Sequence, residues 1–173
     1  MTTNERSNEL ERLAEALAAA LGPDAVRRNQ PLARHTALRI GGPADLLVVA
    51  ETASALRQAV ALACLHRVPF RVLGAGSNVL VSDAGVRGLL VLNRARATTF
   101  QPSGQDAPEG TASVSAESGA SLSTMARQCV TRGLAGLEWA ATIPGTDGGS
   151  VIANPGAWGG NVASTHVSAS LLE

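Results

Sequence analysis

The sequence contains no lysine; its 14 basic residues are all arginines. That excludes the phosphate-binding loop of nucleotide triphosphatases, which needs a Gly-Lys-Ser/Thr run. There is no tyrosine, and only two tryptophans and two phenylalanines, so stacking of a ligand on aromatic side chains is confined to very few positions. The two cysteines, Cys64 and Cys129, belong to no C-x-x-C pair. They read as free cytoplasmic thiols packed as small hydrophobes, each on a helix. Acidic residues balance the arginines to a net charge of zero. With no basic run either, a nucleic-acid role has little support. No apolar run approaches the roughly 18 residues that span a bilayer. The polar start, Met1-Thr2-Thr3-Asn4-Glu5-Arg6, is unlike a secretory signal.

What is present suits one domain, or one with a small second piece, in 173 residues. The hydrophobic share of 45% is enough for a core. Residues 8–21 read as an amphipathic helix with a capping box at Asn8 and Glu11. Its stripe is Leu10, Leu13, Leu17 and Leu21, and Gly22-Pro23 ends it. Arg27 and Arg28 read as a polar connection. Asp45–Ala50 reads as a buried strand. Thr52 caps a helix over about 53–67, with Leu56, Val60 and Ala63 inward, which must stop before Pro69. Strands follow at Phe70–Leu73, Val79–Val81 and Gly88–Leu92. Residues 101–110 have the composition of a surface loop, and 112–117 alternate as a half-buried strand does. A helix over about 121–132 places Leu122, Met125, Ala126, Cys129 and Val130 on one face, and Gly133 stops it. His35 and Arg39 read as structural or solvated.

The central stretch is Gly74-Ala75-Gly76-Ser77-Asn78, a tight turn between apolar runs. Its glycines permit φ > 0 and carry no side chain to keep a ligand off the backbone. A turn with bare N–H groups is an anion cradle for which a diphosphate is the usual guest. The same residues also suit an ordinary β-turn. The dinucleotide fingerprint G-x-G-x-x-G does not apply, because Val79 holds the third glycine's place and no helix opens there. A second glycine-rich stretch runs from Gly136 to Gly160. Linkers do not carry Trp139, Ile143, Val151, Ile152 and Trp158 between their glycines, so this reads as backbone pressed against something flat. Thr146 and Asp147 begin a short helix to Asn154, whose free N–H groups suit an oxygen-rich ligand. Asp147 is an awkward neighbour for a phosphate and better serves as an N-cap, or as an acceptor for a hydroxyl or imide N–H.

Three motifs stand in order: Gly-x-Gly-Ser-Asn at Gly74–Asn78, Ile-Pro-Gly-Thr-x-Gly-Gly at Ile143–Gly149, and Asn-x-Gly-Ala-aromatic-Gly at Asn154–Gly159. Together with Thr36–Ala44 they resemble the UDP-N-acetylenolpyruvoylglucosamine reductase family, also called UDP-N-acetylmuramate dehydrogenases, from about Gln30 onward. These flavoenzymes make a precursor of bacterial peptidoglycan. The resemblance implies an α+β fold of two subdomains, shared with the vanillyl-alcohol-oxidase flavoproteins, with FAD between them and NADPH as reductant. It implies an N-terminal helix and connection at 1–29, a first FAD-binding subdomain at 30–98, and a second, incomplete one at 99–173, ending before the substrate domain. It places Gly74, Ala75, Gly76, Ser77, Asn78 and Val79 at the FAD diphosphate. Ile143, Pro144, Gly145, Gly148, Gly149 and Ile152 would line the flavin and ribityl chain, and Gly156, Ala157 and Gly159 would allow close approach of ring or nucleotide.

The resemblance implies no catalytic residue in this chain. The family's catalytic Arg, proton-donating Ser and C-terminal Glu map beyond Glu173. Asp147, Pro155 and Trp158 depart from the family pattern. The implied substrate is a nucleotide sugar, with no metal, nucleic acid or membrane, in a cytoplasmic monomer. The alternatives are a stand-alone flavin-holding module, or a related FAD oxidase or dehydrogenase acting on another substrate. Covalent flavin attachment is not expected, since His35, His66 and His166 lie outside the glycine loop.

Overall fold

The computed structural model describes residues 3–102 and 110–172; most of the loop expected at 101–110 lies outside them. The chain divides into two compact units, Met1–Arg94 and Ala95–Glu173. The first holds α1 (Thr3–Leu21), β1 (Val26–Pro31), β2 (Pro43–Ala50), α2 (Ala53–Leu65), β3 (Phe70–Leu73) and β4 (Val86–Asn93). The sheet order is β1-β2-β4-β3, with β2, β3 and β4 parallel and β1 antiparallel to β2.

The two-residue period of β2 sets both cores. Leu46, Val48 and Ala50 meet Leu13 and Leu17 of α1 and Ala59 and Ala63 of α2 on one face. On the other, Leu47 joins Leu90 and Leu92 of β4 and Leu32 from the 3-10 turn Leu32–His35. A bulge near Ala44 interrupts the β2–β4 register. There the Asp45 carboxylate accepts from the Gly88 N–H at 2.9 Å and pairs with Arg87 at 2.6 Å.

The second unit holds β5 (Thr98–Pro102), β6 (Ala112–Ala116), α3 (Leu122–Thr131), α4 (Asp147–Ala153), β7 (Gly156–Ala157), β8 (Gly160–Asn161) and α5 (Val162–Thr165). β5 and β6 form an antiparallel pair. The core joins Leu122, Met125 and Ala126 of α3 to Trp139 and Ala140.

Several expectations need correction. The first helix begins at Thr3, not at an Asn8 capping box; Glu5 supplies the acidic first turn that complements the helix dipole. Arg27 and Arg28 stand in β1, where Arg28 meets Glu11 at 2.6 Å, rather than in a connection. Val79–Val81 is not a strand. β3 is already the sheet's edge beside β4, Val79 and Leu80 are exposed, and Val81 packs on the Leu32–Leu47 cluster. Cys64 is exposed while Cys129 is buried. One helical step beyond Ala63 turns Cys64 away from the sheet, and the step beyond Cys129 exposes Val130 in the same way.

Candidate functional site

The glycine loop leaves the C-terminal end of β3, and Arg94 follows the C-terminal end of the neighbouring parallel β4. The carboxyl ends of parallel strands are where open α/β sheets take ligands. Gly76 sits at φ +67, and a Cβ there would run into the His35 carbonyl. Its positive φ agrees with the expectation for the loop, and its bareness serves the chain's own packing. The segment behind it is well tied. Ala37 N–H donates to the Gly76 carbonyl at 2.9 Å, and the buried Thr36 hydroxyl donates to the Ile40 carbonyl at 2.8 Å. From the other side Arg94 Nη1 donates to the Gly74 carbonyl at 3.0 Å. Among the described residues, no protein acceptor meets the N–H groups of Ala75, Gly76, Asn78 or Val79. His35, whose carbonyl abuts Gly76, has its imidazole pKa pushed down by burial and then by the guanidinium charges of Arg94, Arg27 and Arg34.

The second stretch differs in the fate of its amides. α4 is capped by the Thr146 hydroxyl, not by Asp147. Its first-turn donors are consumed: Asp147 N–H by the Ala120 carbonyl at 2.8 Å, Gly148 N–H by the Ser118 carbonyl at 2.9 Å, and Gly149 N–H by the Thr146 hydroxyl at 3.4 Å. The expected anion-binding helix end is thus not available. The Asp147 carboxyl is pushed up by burial, against the opposing charge of His166.

Ile143 packs on the Trp139 core, so it supports the second unit from within. Pro144 is exposed, and Gly145, at φ +140, gives its carbonyl to the Leu122 N–H at 3.3 Å. A Cβ on Gly148 would strike Ser118, while Ile152 is 89% exposed. Gly156 and Ala157 form β7, which pairs with β8 through a turn of Trp158 (φ +53) and Gly159 (φ +83). Positive φ on a residue as bulky as tryptophan is a true outlier. Its indole stands exposed beside a pocket of about 390 Å³ lined with Glu138, Trp139, Gly159 and Gly160. Gly160 is bare because a Cβ would strike the Trp139 ring.

Sequence reasoning missed Arg94 and Ser118. Arg94 carried a signal, being a cation placed directly after a buried apolar strand; the carbonyl of Ser118 carried none. Ala75, Gly76, Asn78 and Val79 thus carry main-chain donors without a protein acceptor among the described residues, and the described residues include no cluster of metal-ligating side chains.

Residues 44–171 match the FAD binding domain family, and the chain belongs to it. Within that class it is a homologue of UDP-N-acetylenolpyruvoylglucosamine reductase over the N-terminal FAD-binding region. It is 39% identical over 161 residues to reductase 2 of Symbiobacterium thermophilum, covering 92% of this chain and 50% of that one. To the Rubrobacter xylanophilus reductase it is 43% identical over 148 residues, 86% of this chain and 48% of that one. The crystal structure of the Thermus caldophilus reductase matches with a TM-score of 0.59 at 29% identity, over 80% of this chain and 46% of that one. The chain therefore spans about half the length of the curated relatives it matches. The fold is the α+β FAD-binding domain of the vanillyl-alcohol-oxidase type.

Proposed function

We propose that this chain is the FAD-holding part of an NADPH-dependent reductase. Its reaction converts UDP-N-acetylglucosamine enolpyruvate to UDP-N-acetylmuramate in the cytoplasm, for peptidoglycan synthesis, with the protein acting as a monomer. The observation that carries this reading is the set of N–H groups of Ala75, Gly76, Asn78 and Val79, which meet no protein acceptor among the described residues, inside a chain of this family. When bound, FAD supplies the hydride chemistry between nicotinamide and the enolpyruvyl double bond.

The residues of this chain bind and orient. The Gly74–Val79 loop gives its amides to the diphosphate. In the second unit Ile152 and Trp158 stand exposed and offer apolar contact. α4 contributes no donors, because the protein already takes its first-turn amides. Titration of the purified protein with FAD, followed by quenching of flavin fluorescence, tests the reading; fluorescence unchanged at saturating protein refutes it.

A further inference from the structure

We infer that Arg94 is a positioning residue for the cofactor loop: by holding the Gly74 carbonyl it aims the Ala75 amide at the place of an anionic diphosphate. The inference rests on the proposed function and adds to it the residue that presets the loop. In a planar trans peptide the carbonyl of one residue and the N–H of the next point in opposite directions. Arg94 Nη1 takes the Gly74 carbonyl at 3.0 Å, so the Ala75 N–H faces away from the guanidinium. The Ala37 N–H takes the Gly76 carbonyl at 2.9 Å, so the Ser77 N–H faces away from the 36–37 turn. Two alternate carbonyls of the loop are thus held by the protein, and the Ala75 amide is turned away from Arg94, beside the Gly76 amide, which also meets no protein acceptor among the described residues. Such neighbouring amides can make an anion-binding nest.

Arg94 is itself well placed for this. Its N–H donates to the Ala50 carbonyl at 2.7 Å, extending the sheet by one residue. The same Nη1 also reaches the Asn93 carbonyl at 3.4 Å. A guanidinium carries several donors in a rigid plane and keeps its charge at any working pH. Its charge also reaches His35, where, after burial, the Arg94 guanidinium disfavours the imidazolium. A fixed cation behind outward amides adds attraction for a dianion to the aim it gives the backbone.

The test compares the wild-type chain with R94M and R94K by FAD titration, with the melting temperature of each ligand-free protein as a control on folding. R94M is expected to weaken FAD binding at least tenfold with its melting temperature little changed. R94K, which keeps a charged donor, is expected to recover at least half of that loss on a logarithmic scale. R94M that binds FAD as tightly as wild type overturns the inference, and so does a loss that R94K leaves unrepaired. Independently of any variant, inorganic pyrophosphate is expected to move the amide resonances of Ala75 and Gly76 in the wild-type protein; resonances that stay in place overturn the inference. Wild-type protein that binds no FAD overturns the proposed function itself. Equal binding by wild type and R94M removes only the role of Arg94.

Discussion

Replacing Gly76 by alanine separates two explanations for a bare position in the cofactor loop. If the glycine is there for the ligand, G76A blocks binding and leaves folding alone. If it is there for the chain's own packing, G76A destabilises the protein before any ligand is added. The structure supports the second. Gly76 is buried at φ +67, and a new Cβ would meet the His35 carbonyl, part of a backbone that cannot swing aside. A left-handed conformation costs an L-residue roughly 1–2 kcal/mol. Forcing a methyl into filled space costs about 1–3 kcal/mol more. The expected loss is therefore roughly 2–5 kcal/mol, and each kcal/mol lowers the melting temperature of a chain this size by about 2–4 °C. Gly133 is the control. Its φ of +71 is nearly the same, but a Cβ there meets nothing within 4 Å. G133A carries only the conformational cost of roughly 1–2 kcal/mol. Both variants are unfolded with urea and followed by circular dichroism. Losses that agree within about 0.5 kcal/mol, the usual scatter of uneventful substitutions, refute the packing argument. So does a G76A protein of wild-type stability that no longer binds flavin.

Trp139→Ala is expected to lower unfolding stability by about 3–5 kcal/mol, because the indole is 7% exposed and its Nε1–H is tied to the Gly136 carbonyl at 3.2 Å; a urea titration reads it. Asp45→Ala is expected to cost about 1–3 kcal/mol in the same assay, since the Gly88 N–H loses its carboxylate acceptor. The Asp147 carboxyl has a folded pKa raised above 3.8 by burial. Its contribution is fully present below the unfolded value and is lost as pH rises through the folded one. Asp147→Asn is therefore expected to flatten the fall in melting temperature between those two values and to melt higher than wild type at neutral pH. Native protein is expected to release colour from Ellman's reagent at Cys64 alone and at both thiols in denaturant, because Cys129 is buried and its thiol pKa is raised by that burial.

Where the sequence was legible, one physical signal dominated. The Phe70–Leu73 strand, the Thr52 cap and the stop at Gly133 all agree with the structure. The cap and the stop rest on local chemistry that needs no distant partner, whereas Phe70–Leu73 has its partner in β4. β1 was not legible, because Val26–Pro31 is polar and largely exposed and becomes a strand only by pairing with β2. Val79–Val81 failed for the opposite reason: it has strand composition and no neighbour. β5 was missed too, being a short run whose pairing with β6 crosses the 101–110 loop. The family was legible from three glycine-rich motifs in order, yet the reason for each glycine was not. Gly76, Gly148 and Gly160 face His35, Ser118 and Trp139, and those partners are set by the fold.

Glycine content therefore does not say where a ligand can be held by main-chain donors; the fate of the neighbouring carbonyls and amides does. The loop after β3 and the start of α4 looked alike in sequence, both short, bare and carrying hydroxyls. In the first, protein donors take the carbonyls of Gly74 and Gly76, and the amides of Ala75, Gly76, Asn78 and Val79 meet no protein acceptor among the described residues. In the second, protein acceptors take the amides themselves, through Ala120, Ser118 and the Thr146 hydroxyl. A buried amide already bonded to protein would have to lose that bond to serve a phosphate, and an unmade buried hydrogen bond costs about 1–3 kcal/mol. An anion gains nothing by that exchange at α4, whereas at the β3 loop it meets donors that have no bond to give up. On the proposed reading the diphosphate sits at the Gly74–Val79 loop, and the start of α4 gives it no main-chain donor.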